Sequence, residues 1–337
     1  MRAALFAFTE RGKALALRVA DALDGECLLL APARLAGGGF TAYHGSLPDY
    51  TASVFDRDAL IFIGATGIAI RAIAPCVASK RSDPAVICMD EAGRFVIPVL
   101  SGHIGGANAL ATHLSEALGA TPVITTATDV NGRFSVDTWA TRHHMVISSM
   151  ALAKRVSAAI LEGDVPFWSD AERPEALAPG LVWSNTGKLG ICVSTRNVQP
   201  FDSTLLLIPK ALRLGIGCRR DTPVEALRAA VDETLNMYKL RPEAIVEAAS
   251  IDVKADEEGL LTLCRERNWP VRFYSADALN AVQGSFSKSE FVSRTVGVDN
   301  VCERAAAAGG GQIIVPKTAK NGVTVAVAEM KWGIEFG

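Results

Sequence analysis

The feature that most restricts this chain is an alternation of short, fully apolar runs with longer stretches of helical spacing. Ala3–Phe8 reads as a buried strand and Arg11–Leu23 as an amphipathic helix. Cys27–Leu30, Leu60–Ile63 and Ala85–Met89 are further apolar runs bounded by turn residues, and Phe95–Val99 is another, whose Pro98 suggests an edge or a strand end. Gly105–Leu118 has helical spacing and stops at Gly119 in the manner of a C-cap, ahead of a strand at Pro122–Thr125. Strands of this kind, separated by helices, predict a mostly parallel sheet covered on both faces.

The rhythm changes after residue 135. Helical patterns at Val136–His143 and Ala151–Leu161 precede short runs at Val165–Trp168, Leu181–Trp183, Leu189–Ser194 and Thr204–Ile208, which predicts a small α+β region. From Leu212 the alternation returns. Strands are expected at Leu212–Gly217, Ala248–Ile251, Val271–Phe273, Ile313–Val315 and Val323–Val327, and helices at Pro223–Leu235, Asp256–Arg267 and Asp299–Ala307. The expected fold class is α/β in three parts: an N-terminal, mostly parallel α/β domain (1–135), an α+β middle region (136–211) and a second α/β domain (212–337). No repeat of fixed period is present.

Composition narrows the class of function. Hydrophobic residues make up 49% and charged residues 21% of the 337, the balance of a soluble globular protein and not of a disordered one. The 34 basic and 36 acidic side chains are evenly mixed in each part, so no basic face is offered to nucleic acid. Seven cysteines without a C-x-x-C pair argue against a disulfide scaffold or structural zinc and fit a reducing cytoplasm. The apolar run after Met1-Arg2 ends at Thr9-Glu10, too short for a signal-peptide core. The longest stretch without Asp, Glu, Lys or Arg, Phe95–Ser115, contains Pro98, His103, three glycines and Asn108, which argues against a bilayer helix. A cytoplasmic protein without nucleic-acid or membrane partners is therefore expected.

The densest group of reactive residue types is Ser101-Gly102-His103-Ile104-Gly105-Gly106-Ala107-Asn108, between a strand and a helix. Ligands of open α/β sheets sit beyond carboxyl strand ends, against helix amides that lack partners. The glycines admit a close backbone approach, and His103 changes charge near neutral pH. The same string would also serve as a tight turn that packs helix on sheet. Thr66-Gly67, with Arg71 one turn into the next helix, has the same strand-end setting. Lys80 and Asp83 precede a strand, where a solvated loop would use the same residues. Thr125–Asp129, with Asp137 beyond, suits either hydrogen bonding to a polar substrate and to His103 or ordinary N-capping. In the last domain, Gly215-Ile216-Gly217-Cys218-Arg219-Arg220 begins like a dinucleotide fingerprint but lacks its third glycine.

Other templates fail. Asn185-Thr186-Gly187-Lys188 lacks the early glycine and the Ser/Thr of a P-loop, and there is no G-x-S-x-G elbow. His103 and His113 would stand about 15 Å apart along a helix, too far to clamp one metal. No protein-held metal is expected.

Taken together, these segments resemble the cobalt-precorrin 5A hydrolases of anaerobic cobalamin biosynthesis. The likeness is carried by Gly67-Ile68-Ala69 with Arg71, Lys80 with Asp83-Pro84-Ala85-Val86, Leu100 through Asn108, Thr125 through Asp129 with Asp137, Gly215 through Arg220, Ser250 through Glu257, Ser289-Glu290-Phe291-Val292, Val315-Pro316-Lys317 and Thr324 through Ala328. It spans nearly the whole chain, loosely in the middle. The resemblance implies a substrate, cobalt-precorrin 5A, whose ring A δ-lactone is opened while the methylated bridging carbon leaves as acetaldehyde. The cobalt would belong to the tetrapyrrole, with no cofactor of the protein's own. A homo-oligomer and transient contacts with other corrin-pathway enzymes are compatible with it.

The residues suggest how such a site would work. His103 is the expected general base, oriented by Asp129 in preference to Asp83, with the Gly105 and Gly106 amides as oxyanion donors. Ser101 as a nucleophile activated by His103 is the rival within the same site. Arg71 and Lys80 would hold peripheral carboxylates. Thr66, Gly67, Asp83, Gly102, Asn108, Thr126, Gly217 and Arg219 complete the expected substrate contacts. Outside this chemistry stand a non-catalytic carrier of cobalt-corrinoid intermediates and, from the glycine turns alone, a nucleotide-binding oxidoreductase.

Overall fold

The apolar runs of the first domain become one sheet. In the computed structural model, which describes residues 1–79, 82–287 and 297–336, the strands are β1 (Arg2–Ala7), β2 (Glu26–Ala31), β3 (Thr41–Ala42), β4 (Ala59–Ile63), β5 (Ala85–Met89), β6 (Phe95–Leu100) and β7 (Thr121–Pro122). They lie in the order β3-β2-β1-β4-β5-β6-β7. β1 to β5 are parallel, and every residue of β4 and β5 is buried. Alternate side chains serve opposite faces: Ala3, Leu5, Ile61 and Ile63 pack on one, Ala4, Phe6, Leu60 and Phe62 on the other. A sheet covered on both sides is what the unbroken apolar runs predict.

β6 breaks the parallel pattern. It returns alongside β5 as an antiparallel partner, through a turn at Asp90–Arg94. The Asp90 carboxylate accepts the N–H groups of Arg94 and Phe95, both at 2.8 Å, and Gly93 supplies a left-handed φ of 69°. A link this short permits only antiparallel pairing, because a parallel return needs about a dozen residues or more. β7 then runs parallel to β6. The carboxyl ends of β6 and β7 therefore emerge where β1, β4 and β5 begin, and the carboxyl end of β4 lies at the opposite edge. Pro98 sits beyond the reach of β7, which pairs only with Phe95 and Val96, and next to a register shift in β5. The strand is internal at its start and an edge at its proline. The run expected at Pro122–Thr125 forms ladder only at Thr121–Pro122.

The chain forms two compact units, Met1–Thr138 and Trp139–Gly337. The second contains two sheets. β8 (Val146–Ile147), β9 (Val165–Ser169), β10 (Leu181–Trp183), β11 (Leu189–Val193) and β12 (Ser203–Ile208) lie in the order β10-β9-β11-β12-β8, with β8 antiparallel to β12 and the others parallel. β13 (Leu212–Cys218), β14 (Ile245–Ile251), β15 (Val271–Tyr274), β16 (Gln312–Lys320) and β17 (Val323–Glu329) lie in the order β15-β14-β13-β17-β16, with β16 and β17 antiparallel. Cys192, Phe201, Leu206 and Ile208 of the middle part share one core with Leu214, Ile216 and Val325 of the last sheet and Val231 of the helix Val224–Met237. That shared core accounts for the two parts behaving as a single unit. Among the described residues no helix is long and apolar enough to cross a membrane. Lys80 and the Ser289–Val292 string lie outside the described residues.

Candidate active site

The loop Ser101–Gly106 joins β6 to the helix Ala107–Leu118, and its own carbonyls fold it. Ala107 N–H donates to Ser101 O (3.1 Å), Asn108 N–H to Gly102 O (2.9 Å) and Gly106 N–H to His103 O (2.9 Å). The first helix amides are thus taken by the loop. Of the two amides expected to meet an oxyanion, Gly106's is occupied, and Gly105's has no acceptor among the described residues.

Glycine is required at 105 because there is no room for a side chain. A Cβ there would stand 2.3 Å from Ser101 Cβ and 3.2 Å from Asp83 O. Ser101 itself holds a left-handed φ of 57°, a conformation that costs a non-glycine residue about 1–2 kcal/mol. Its hydroxyl donates to Asp83 O (3.0 Å), fastening the loop to the segment that leads into β5. Ser101 is therefore engaged with backbone and not with His103, so the Ser–His pairing needed for a nucleophile is not formed. The buried Asp83 carboxylate accepts the N–H groups of Ala78 and Ser79 at 3.0–3.3 Å. It closes its own turn, and the orienting role passes elsewhere.

His103 lies between two carboxylates. Its Nε2 is 2.9 Å from Asp129 Oδ2, and its Nδ1 is 3.3 Å from Asp137 Oδ1. Thr128 Oγ1 stands 3.5 Å from Nε2 and Ser135 Oγ 3.4 Å from Nδ1. Asp129 comes from the short helix Ala127–Val130 that follows β7, and Asp137 from the first turn of the helix Val136–Arg142. Asn108, buried in the first turn of its helix, donates Nδ2 to Asp129 Oδ2 and to Thr126 Oγ1, both at 3.0 Å. Asn108 and Thr126 therefore hold Asp129 in place. The His103 side chain is 15% exposed, Asp137 11% and Asp129 37%, so Asp129 is the member that meets solvent. The hydrogen bond to Asp137 raises the His103 pKa above the ordinary histidine value; burial opposes this and Asp129 adds to it.

Three family models cover the chain: "Cobalamin synthesis G N-terminal" over residues 49–129, "Cobalamin biosynthesis central region" over 134–209 and "Cobalamin synthesis G C-terminus" over 212–328. A cobalt-precorrin-5A hydrolase of Salmonella typhimurium is 39% identical over 96% of this chain and 96% of its own. The chain belongs to the cobalt-precorrin-5A hydrolase family. A second hydrolase of that name, from Priestia megaterium, is 31% identical over 85% of this chain and 82% of its own. The crystal structure of a putative cobalamin biosynthesis protein G homolog from Sulfolobus solfataricus matches with a TM-score of 0.42 at 20% identity, covering 98% of this chain and 97% of that one.

In this family member, an enzyme of the hydrolase class, the expected site residues divide into three groups. His103, Asp129, Asn108, Thr126, Ser101, Gly102, Gly105, Gly106 and Asp83 gather at the edge where β6 and β7 end. Thr66 and Gly67 open the helix Thr66–Ile73 after β4, at the opposite edge, and Arg71 of that helix donates to Gly67 O (3.5 Å). Gly217 and Arg219 belong to the other unit, at the carboxyl end of β13. There Thr324 Oγ1 donates to Gly217 O (3.2 Å) and Thr222 Oγ1 to Arg219 O (2.8 Å). The residues that sequence reasoning missed are Ser135 and, as a direct partner of the ring, Asp137. The available signal was an S-x-D pair before a helical run, which capping explains equally well. Among the described residues no group of three or more His, Cys, Asp or Glu is arranged to hold a metal ion.

Proposed function

We propose that this hydrolase acts on cobalt-precorrin 5A in the cytoplasm, opening the ring A δ-lactone and releasing the methylated bridging carbon as acetaldehyde to give cobalt-precorrin 5B. Lactone opening needs proton transfer to and from oxygen and a donor for the tetrahedral oxyanion. The observation that carries the reading is the 2.9 Å contact between His103 Nε2 and the half-exposed Asp129, beside a loop whose Gly105 N–H has no acceptor among the described residues. Water adds to the lactone carbonyl and the ring C–O bond breaks. The freed carbon then departs as acetaldehyde when its C–C bond to the macrocycle breaks, the electron pair staying with the macrocycle. The cobalt rides on the substrate, and the protein supplies no cofactor.

Replacing His103 by Ala tests this. A positioned acid–base group contributes about 10²–10⁴-fold, so acetaldehyde release should fall by that factor while the corrinoid still binds. Wild-type protein that binds cobalt-precorrin 5A without releasing acetaldehyde would be a carrier, and a His103→Ala variant of normal speed would remove the ring from the chemistry.

A further inference from the structure

Imidazole acts as a base only when one ring nitrogen is bare. In this site each nitrogen of His103 faces a carboxylate, which can only accept. Among the described residues, the charged groups facing the ring are Asp129, from the helix after β7, and Asp137, from the helix Val136–Arg142; the hydroxyl of Thr128 stands beside Nε2 and that of Ser135 beside Nδ1. Asp137 is held firmly in this position. Its Oδ1 accepts from Ser135 Oγ (3.0 Å) and from Thr138 N–H (3.1 Å) as well as facing His103 Nδ1, and the residue is buried. Asp129 differs. Its Oδ2 takes His103 and Asn108, and its Oδ1 has no partner among the described residues.

We propose that Asp137 is a positioning residue: through Nδ1 it keeps both ring nitrogens of His103 as N–H donors, so that His103 gives a proton and Asp129, not His103, takes one from water. This rests on the lactone-opening reading and assigns the direction of its proton traffic. As water oxygen bonds to the carbonyl carbon, its proton passes to Asp129. As the ring C–O bond breaks, the departing oxygen takes the Nε2 proton of His103. The proton on Asp129 then returns to His103 within the pair, 2.9 Å apart, and no outside acid or base is consumed. The elevated titration of the ring agrees with this arrangement.

The test uses the full chain without substrate. Nitrogen-15 NMR of the wild-type imidazole should show both ring nitrogens protonated at neutral pH. In Asp137→Asn, which keeps the shape and removes the charge, the His103 midpoint should fall by about one pH unit, as expected for losing an opposite charge within ~4 Å. The alkaline limb of the kcat/KM profile for acetaldehyde release should move down with it, a change that mere loosening of the fold would not produce. A bare ring nitrogen in the wild-type protein, a midpoint unmoved in folded Asp137→Asn, or an acid limb that moves in place of the alkaline one would overturn the proposal. If wild-type protein releases no acetaldehyde, the lactone reading fails on its own, and the NMR titration still decides the role of Asp137.

Discussion

Two adjacent glycines give the sharpest test of the loop. A methyl added at Gly105 would stand 2.3 Å from Ser101 Cβ and 3.0 Å from Ser101 O. Carbon atoms rest at about 3.5–4.0 Å, so the two must part by roughly 1.2 Å or more. Ser101 cannot yield alone, because its hydroxyl is bonded to Asp83 O and its carbonyl to Ala107 N–H. The loop backbone must move and carry the Gly105 amide and His103 with it. Misplacing reacting groups by about 1 Å costs on the order of a hundredfold in rate, and overpacking costs about 1–3 kcal/mol in stability. Gly105→Ala should therefore release acetaldehyde about a hundred times more slowly. Gly106 provides the contrast. Its φ is 82°, yet nothing lies within 4 Å of where a Cβ would be. Gly106→Ala should cost about 1–2 kcal/mol of backbone strain and push nothing aside, so its rate loss should be about tenfold or less. Acetaldehyde is followed by coupled NADH oxidation, with urea unfolding of each variant measured in parallel. A Gly105→Ala enzyme of wild-type speed, or a Gly106→Ala enzyme slower than it at equal folded fraction, would refute the steric reasoning.

Two further outcomes follow from the same contacts. Asn108→Ala removes one hydrogen bond to a carboxylate and one to a hydroxyl, so the urea-derived stability should drop by about 2–4 kcal/mol; an unchanged midpoint would separate Asn108 from the scaffold of the site. The His103 pKa is raised on folding, so the ring stabilises the fold fully below its unfolded value of about 6.5 and loses that contribution as pH rises through the folded one. The stability gap between wild type and His103→Gln should therefore be wider near about pH 5.5 than near about pH 8.5, and a gap independent of pH would contradict the two-carboxylate clamp.

Much of the fold was legible because burial on both faces leaves an unmistakable trace. Ala85–Met89 and Leu181–Trp183 coincide with their strands, and Gly119 ends its helix in the left-handed conformation expected of a C-cap. Strand direction was less legible. Apolar runs show that β5 and β6 exist and not how they run, although the short Asp90–Arg94 link, with its glycine, carried the information. Missing it places the Gly67 turn beside His103, whereas the reversal sends the two to opposite edges. The middle sheet was expected as α+β, yet all its strands but the two-residue β8 are parallel, a regularity that such short runs cannot display. Small pieces such as the helix Leu47–Ser53, started by the Ser46 cap and Pro48, fell below the length at which periodicity speaks. At the site, Asp129 was legible as a carboxylate near a strand end. Asp137 was not legible as a partner of the ring, because its contact depends on how the chain after Asp129 folds back.

That fold-back also bears on how such proteins can be divided and recombined. The N-terminal family model stops at Asp129, and the next begins at residue 134. A fragment ended at the first boundary would carry the histidine and one carboxylate while leaving the second behind. Any exchange of modules between relatives that preserves this arrangement must therefore cut after Thr138, so that Ser135 and Asp137, which open the central match, travel with the histidine they grip.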